Sequence, residues 1–302
     1  DPYMCRRCRF NRCMQLKMDK GLRITEEETM ASTSKGQTIL QRITREYMAS
    51  IKRRRRAEQK LRLKHNLKRH PVHTGEIYIA SLEFREDVSK IYIEEMSAFV
   101  QRTFPEYDQM SIEDQSHMCK SIIAPSCAIE SFYFTMKVFN TDRTYFMSTV
   151  ISCIQLDQIE NYVSEKIVTS GMKKDYLEIV THYLGEYMAL VTPILANANF
   201  TEVEYHALIA LTIWDFETNR LMNDHIYAVG DKIRKDILND LHRYYSKELG
   251  INDYAVRIGN LVTSFYAVKE AICLFEEEIR LCLTMFEHSD LDEKMMQLFL
   301  GD

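Results

Sequence analysis

The sequence predicts an all-α protein on three observations. Its 302 residues include only 9 Gly and 5 Pro, which favours long helices over turn-rich β-structure. From about residue 77, apolar residues recur every three or four positions, as on one face of a helix. No run shows a convincing strand-like alternation. With 46% hydrophobic residues, the chain can bury a sizeable core.

The first quarter of the chain is basic and polar. Residues 19–50 have the composition of a linker, although the pattern predicts a helix from Ile39 to about Leu67, with Pro71 ending the segment. That helix contains a run of five consecutive cations, Lys52, Arg53, Arg54, Arg55 and Arg56. Such a run binds phosphates through counterion release or serves as a nuclear import signal, and the sequence leaves both uses open.

Charge is divided unevenly along the chain. Residues 1–75 hold 20 Lys and Arg against 7 Asp and Glu, whereas residues 76–302 hold 19 against 37. A basic arm joined to an acidic globule is typical of a polyanion-facing segment attached to a separate regulatory body. A solvated basic tail is the alternative.

Eight helices are expected in the globule. The apolar spacing places them over about 91–104, 111–124, 126–139, 156–168, 176–191, 201–214, 232–249 and 258–283. Pro105, Pro125 and Pro193 are expected to interrupt helices. Ser111 with Asp114 and Thr201 with Glu204 have the spacing of capping boxes, and Gly250 is placed as a C-terminal cap.

Several classes of protein are not indicated. The eight Cys form no regular framework, and neither a signal peptide nor an apolar run of transmembrane length is expected, so reduced thiols in an intracellular, non-membrane protein are predicted. His65, His70 and His73 have no Cys pair just upstream, and no metal is expected there. Without a nucleophile–base pair, a Gly-rich phosphate loop or a His-Glu metal motif, the chain is not predicted to be an enzyme.

The N-terminus carries a Cys-x-x-Cys pair, Cys5 and Cys8, followed by Arg9, Arg12 and Cys13. This run resembles the end of the second zinc finger of nuclear hormone receptors. The resemblance implies that residues 1–18 are the C-terminal remnant of a zinc-finger DNA-binding domain.

In that family Cys5 and Cys8 would be zinc ligands. A structural zinc takes four ligands, so zinc is expected only in a form with complete fingers, and specific DNA binding by the chain as given is not expected. The resemblance also implies cations that contact DNA phosphates, where they position without specifying sequence: Arg6, Arg7, Arg9 and Arg12.

Three segments of the globule resemble the nuclear receptor ligand-binding domain. Phe104–Gln115 is similar to the family signature between helices 3 and 4, Glu204–Leu211 to helix 8, and the run from Tyr254 to helix 10/11. The resemblance implies a ligand-binding domain over 77–302, folded as a layered helical sandwich. It implies a basic hinge over 19–76, and the looseness of the signature is closest to the branch expanded in nematodes.

The extreme C-terminus, Asp292–Leu300, resembles the activation helix that completes a groove for a partner's Leu-rich helix. The implied coregulator groove consists of Arg102, Lys120, Met295, Met296, Phe299 and Leu300. In the family, a Glu in this helix and a Lys at the end of helix 3 form a charge clamp that binds the two ends of the partner helix. Leu298 occupies the position of that Glu, so half of the clamp is missing. A helix that simply packs on the core is the alternative.

A ligand pocket is a weaker expectation. The 16 Met, 14 Phe and 17 Tyr are compatible with an adaptable apolar cavity, but equally with ordinary core. The proposed lining is Met96, Phe99, Phe132, Met136 and Cys282. Because Lys137 is the only basic residue between Ser126 and Phe139, a neutral lipid-like ligand or no ligand is expected.

The resemblance implies a nuclear receptor-type transcription factor in the nucleus, regulated through a helical domain that recruits coregulators. A homo- or heterodimer is expected through the long helix at about 255–287. The alternative is a regulator without sequence-specific DNA binding, which acts by dimerisation and coregulator capture.

Overall fold

The computed structural model describes residues 37–71, 73, 75–140, 142–162, 173–215 and 224–285. Within these ranges the prediction of an all-α protein is confirmed. The elements are α1 (Ile39–Lys64), β1 (Tyr78–Ile79), α2 (Leu82–Thr103), α3 (Ile112–Phe139), β2 (Tyr145–Met147), β3 (Ser152–Gln155), α4 (Lys173–Ala198), α5 (Glu202–Ile213), α6 (Asp224–Arg243) and α7 (Ala255–Met285). Short 3₁₀ turns lie at Tyr107–Gln109 and Leu156–Asn161, and a π-helical turn, Tyr244–Glu248, extends α6.

The helices pack in three layers. Helices α1 and α2 lie together on one side, and α4 and α7 lie together on the other. Between them, α3 contacts α2, α4, α5 and α7, while α5 contacts α1, α6 and α7. One apolar core draws residues from every helix, including Leu40, Met96, Ile129, Val191, Leu208, Ile237 and Val268. The predicted layered sandwich is therefore confirmed.

Helix α1 belongs to this compact unit, which begins at Ile39. The predicted hinge over 19–76 thus includes a helix that packs into the core, and the compact unit extends N-terminally beyond residue 77. The reason is a continuous buried stripe at helical spacing, formed by Leu40, Ile43, Tyr47, Ser50, Arg54 and Glu58. The helix ends near Asn66, whose φ of 50° is left-handed, and so before Pro71.

Two prolines do not interrupt helices as expected. Pro125 lies inside α3 and Pro193 inside α4. A proline in a helix interior costs roughly 3 kcal/mol, but buried apolar residues on both sides of each one hold the helix against the core. Those residues are Ile122, Ile123 and Ile129 around Pro125, and Val191 and Leu195 around Pro193.

A small sheet lies beside the helices, where the sequence predicted none. Its order is β1-β3-β2, with β1 parallel to β3 and β2 antiparallel to it, and Tyr78 lies opposite Ser152. Strands of two to four residues are too short to show an alternating pattern, and Ser152, Cys153 and Ile154 are buried consecutively. The helix expected over 156–168 is a 3₁₀ turn from Leu156 to Asn161, and residues 163–168 lie outside the described residues.

The caps predicted at Thr201 and Gly250 are confirmed, whereas Ser111 caps its helix without the reciprocal half of a capping box. Thr201 and Glu204 form a reciprocal capping box at the start of α5. Gly250 has a φ of 65°, the left-handed conformation expected of a C-terminal cap. The Ser111 side chain accepts a hydrogen bond from the Asp114 backbone at 3.1 Å.

Two described helices, over Lys174–Ala198 and Ala255–Glu278, are long and apolar enough to cross a membrane by length and composition alone. This differs from the expectation that no run reaches that length. The core helices of soluble proteins pass the same test, and these two pack against each other within the sandwich.

Candidate functional site

A buried ion pair, surrounded by further polar side chains that together form a polar centre, joins α1 of the first layer to α3 of the middle layer. Arg54 donates from Nη1 to Glu130 Oε1 at 2.6 Å and from Nη2 to Oε2 at 2.5 Å. The two side chains are 1% and 6% exposed. The geometry is the bidentate fork that makes Arg–carboxylate pairs specific as well as strong.

Tyrosines complete the hydrogen bonding around this pair. The Tyr47 hydroxyl donates to Glu130 and lies 2.9 Å from the Tyr205 hydroxyl. Tyr92 supports the guanidinium from its ring face, with Arg54 Cζ 4.8 Å from the ring centroid. Burial raises the pKa of Tyr47 well above its usual value, and neighbouring Glu130 reinforces the shift. Tyr47 is therefore a neutral donor at physiological pH.

A second acid, Glu58, lies one turn after Arg54 on α1. It is 1% exposed, and its Oε2 has no hydrogen-bond partner. Burial raises the pKa of Glu58 to about 7, against the lowering effects of Arg54 and a hydrogen bond with Thr149. Arg54 attracts both buried carboxylates, but its bidentate hydrogen bond is with Glu130.

Four predicted pocket residues belong to or pack against the main apolar core. Met96 and Phe99 of α2 are fully buried, Phe132 of α3 is 4% exposed, and all three belong to the central apolar core. Met136 is half-buried against the same core. Phe99 meets Tyr47 edge to face with ring centroids 5.3 Å apart. The fifth residue, Cys282, is in α7, but its side chain lies outside the described part.

The polar centre was not predicted from the sequence. The sequence places Arg54 in a run of cations predicted to bind phosphates or to serve as an import signal, and no motif marks Glu130. The available signal was the three-and-four spacing that continues from Leu40, Ile43 and Tyr47 to Arg54. Lys137, considered as a ligand contact, is exposed and reaches the Phe200 carbonyl at 3.5 Å.

The region of the predicted coregulator groove is described in part. Arg102 is exposed in the last turn of α2, and Lys120 is exposed on α3. The connection between these helices is fixed by Gln115, whose side chain donates to the Tyr107 carbonyl at 2.9 Å and to that of Met110 at 3.3 Å. This contact explains why a Gln ends the signature segment.

The remaining groove residues, Met295, Met296, Phe299 and Leu300, lie outside the described residues. So do the predicted zinc ligands Cys5 and Cys8 and the predicted phosphate contacts Arg6, Arg7, Arg9 and Arg12. The described residues contain no group of three or more His, Cys, Asp or Glu arranged to hold a metal ion. In that part, His70 and His73 pack on Phe139 instead.

Helix α7 presents an outward apolar face. Val262 and Tyr266, one turn apart, are 45% and 55% exposed, and Val256 is 71% exposed near the start of the helix. The opposite side of the helix packs on α4, α3 and α5.

A three-layer helical sandwich with a small sheet after its central long helix and a helical signature loop defines the ligand-binding domain of a nuclear receptor. The sequence model for the ligand-binding domain of nuclear hormone receptors matches residues 86–285. The chain therefore belongs to the nuclear hormone receptor family. This is a family of non-enzymatic regulators, so the prediction that the chain is not an enzyme is confirmed.

Two curated nematode proteins are similar to the chain. One is nuclear hormone receptor family member nhr-43 of Caenorhabditis elegans, 26% identical over 200 residues, which are 62% of this chain and 43% of that protein. The other is nhr-53 of the same organism, 20% identical over 291 residues, 94% of this chain and 76% of that protein. The chain thus spans less than half of the first relative, and the predicted affinity to the nematode branch is confirmed.

Proposed function

We propose that the chain is a transcription regulator of the nuclear receptor type, acting in the nucleus through a helical domain that recruits coregulators. The observation that carries the proposal is the exposed pair Arg102 and Lys120 on either side of the connection fixed by Gln115. Basic side chains suit the negative C-terminal end of a bound helix. The proposed partner is therefore an amphipathic Leu-rich helix.

The test is a binding titration by fluorescence anisotropy, with a labelled helical peptide carrying leucines at positions i, i+3 and i+4. Arg102→Ala and Lys120→Ala should each weaken binding about two- to fivefold, the range for a charge at a helix terminus. Lys90→Ala, which removes an exposed cation from α2, is the control and should leave the affinity unchanged.

The predicted loss of half of the charge clamp allows a test in the opposite direction. Leu298→Glu would restore the acidic residue at the family's position, and we expect tighter peptide binding by a similar factor. Equal affinity in the wild type, Arg102→Ala and Lys120→Ala would contradict the proposed groove.

For the ligand we propose a neutral apolar molecule if one is bound. Support comes from Arg54, the cation at the centre of the described core, because Glu130 engages its guanidinium bidentately. An acidic ligand would have to displace that carboxylate. Native mass spectrometry of the purified protein should show a neutral adduct or none, and a stoichiometric acidic adduct would oppose the proposal.

A second candidate function is regulation by dimerisation without sequence-specific DNA binding. The outward apolar face of α7 favours it, since Val262 and Tyr266 are exposed one turn apart. Tyr266→Glu should shift the protein toward monomer in sedimentation equilibrium. Exposed Lys232 of α6 provides a control, because Lys232→Glu should leave the mass unchanged. If wild-type protein is monomeric at tens of micromolar, this candidate fails.

A further inference from the structure

The outward face of α1 carries exposed cations that form no ion pair with the residues that the structure describes. Four basic residues line one open cleft of about 510 Å³ with Gln59 and Glu76, namely Lys52, Arg55, Arg56 and Lys60. Within the described residues none of the four forms an ion pair. Other cations of the helix are occupied: Arg53 bonds Glu95, Arg54 bonds Glu130, and Lys64 bonds Asp87.

The geometry makes this a rigid linear array. The helical rise of about 1.5 Å per residue separates Lys52 from Lys60 by about 12 Å along the axis. The inward stripe of the same helix is locked in the core by Tyr47 and Arg54, so the outward cations are held on a fixed backbone. The one carboxylate among the lining residues, Glu76, is held at 3.1 Å by the Gln59 side chain.

We propose that this cleft binds the phosphate backbone of a nucleic-acid duplex without reading its sequence. Arg, Lys and Gln side chains are the common phosphate contacts, and a span of about 12 Å covers three to four base pairs at roughly 3.4 Å each along one strand. The proposal goes beyond coregulator recruitment and does not depend on it.

Three other partners fit less well. A site for single-stranded nucleic acid interleaves cations with aromatic side chains, and no aromatic side chain lines this cleft. A membrane-surface helix needs its apolar face at the bilayer, but that of α1 is buried against α2 and α5. A linear import signal over Lys52–Arg56 would have to be accessible along its length, but Arg54 is 1% exposed and is paired with Glu130.

The test is a titration of the full chain against a fluorescent 20-base-pair duplex of arbitrary sequence, at salt concentrations from 50 to 200 mM. The cleft variant replaces all four cations by alanine: Lys52→Ala, Arg55→Ala, Arg56→Ala and Lys60→Ala. Each phosphate contact contributes about 0.9 to the slope of log K against log salt. The variant should therefore bind more weakly at 50 mM, with a slope shallower by about 3.6 if all four cations contact phosphates.

A charge-matched control removes four exposed lysines outside the cleft: Lys90→Ala, Lys174→Ala, Lys232→Ala and Lys247→Ala. This variant should keep at least most of the wild-type affinity and slope. A third variant has alanine at Arg6, Arg7, Arg9 and Arg12 and measures the contribution of the N-terminal arm. Its loss of duplex affinity should add to the loss of affinity in the cleft variant. Thermal unfolding should be the same for the cleft variant and wild type, because the four side chains are solvent-facing.

Three results would overturn the proposal. The cleft variant could bind the duplex like the charge-matched control. A single strand of the same length could compete better than the duplex. Finally, vesicles rich in phosphatidylserine could retain the wild type, but not the cleft variant, under conditions where the duplex does not bind.

Discussion

In the part of the chain that the structure describes, two ion pairs between an Arg and a buried Glu have different surroundings. Around Arg54, both Glu130 and Glu58 are buried, but the guanidinium forms its bidentate bond with Glu130, and Glu58 is left with an unpartnered oxygen. Burial therefore prevails there and raises the pKa of Glu58 to about 7. This region joins α1 to α3.

The second pair joins α5 to α7 and has an excess of donors. Glu204 accepts from Arg257 Nε at 2.7 Å, from the Thr201 backbone N–H and hydroxyl at 2.8 Å each, and from the Tyr245 hydroxyl at 2.9 Å. Burial acts to raise the pKa of Glu204, but these hydrogen bonds outweigh it and the pKa is lowered. Glu58 and Glu204 are both fully buried, so the number of hydrogen-bond donors around each carboxylate decides its protonation state.

The largest expected effect comes from Arg54→Met, which leaves Glu130 buried without its cation. Removing one partner of a buried pair costs about 3–5 kcal/mol, to be measured as a loss in the free energy of unfolding by urea. Arg55→Met is the matched control on the next residue, which is exposed, and should change stability by no more than about 0.5 kcal/mol.

A double variant separates the charge from the packing. Arg54→Met with Glu130→Leu removes both charges and should recover most of the loss, because buried pairs are often replaceable by apolar residues. Equal stabilities for Arg54→Met and Arg55→Met would mean that α1 is an external linker after all.

The next effect is a pH dependence carried by Glu58. With its pKa raised to about 7 by burial, the folded protein retains a proton that the unfolded chain releases between about pH 4.5 and 7. This contribution to stability is thus present at low pH and is lost as pH rises through that window. By about pH 8 the loss is on the order of 3 kcal/mol.

Glu58→Gln tests the assignment because it is neutral at every pH. Its stability should match the wild type near pH 4.5 and exceed it increasingly up to pH 8, in denaturation curves measured at each pH. A constant difference between the two proteins across this range would show that Glu58 does not titrate there.

The comparison also shows which features a sequence can disclose. The capping box of Thr201 and Glu204 was predicted because its two residues are three positions apart and local geometry determines their contact. Arg54 and Glu130 are 76 positions apart, and nothing local in a run of five cations distinguishes the third as buried. The periodicity of apolar residues predicted most of the helices. It did not predict where the folded unit starts, because the buried stripe of α1 becomes polar after Tyr47.

A smaller effect is expected at the second pair. Arg257→Met removes a cation that is itself 27% exposed, and Glu204 keeps its bonds from Thr201 and Tyr245. A hydrogen bond to a charged group contributes about 1.5–3 kcal/mol, so a loss near 2 kcal/mol is expected in the same urea assay. A loss as large as that of Arg54→Met would contradict the idea that surplus donors compensate for the missing cation.

The smallest effect isolates the cap within this second region. In Thr201→Ala, the Glu204 backbone N–H loses its acceptor at 3.3 Å and the carboxylate loses the hydroxyl donor, while the backbone donor remains. Loss of a Thr cap costs about 1 kcal/mol, and we expect that decrease in the free energy of unfolding. Thr201→Ser keeps both hydroxyl roles and should fall within about 0.5 kcal/mol of wild type. If Ser and Ala are equally destabilising, the lost methyl packing and not the hydroxyl accounts for the effect, and the bonds from Arg257, Tyr245 and the backbone N–H of residue 201 suffice to hold Glu204.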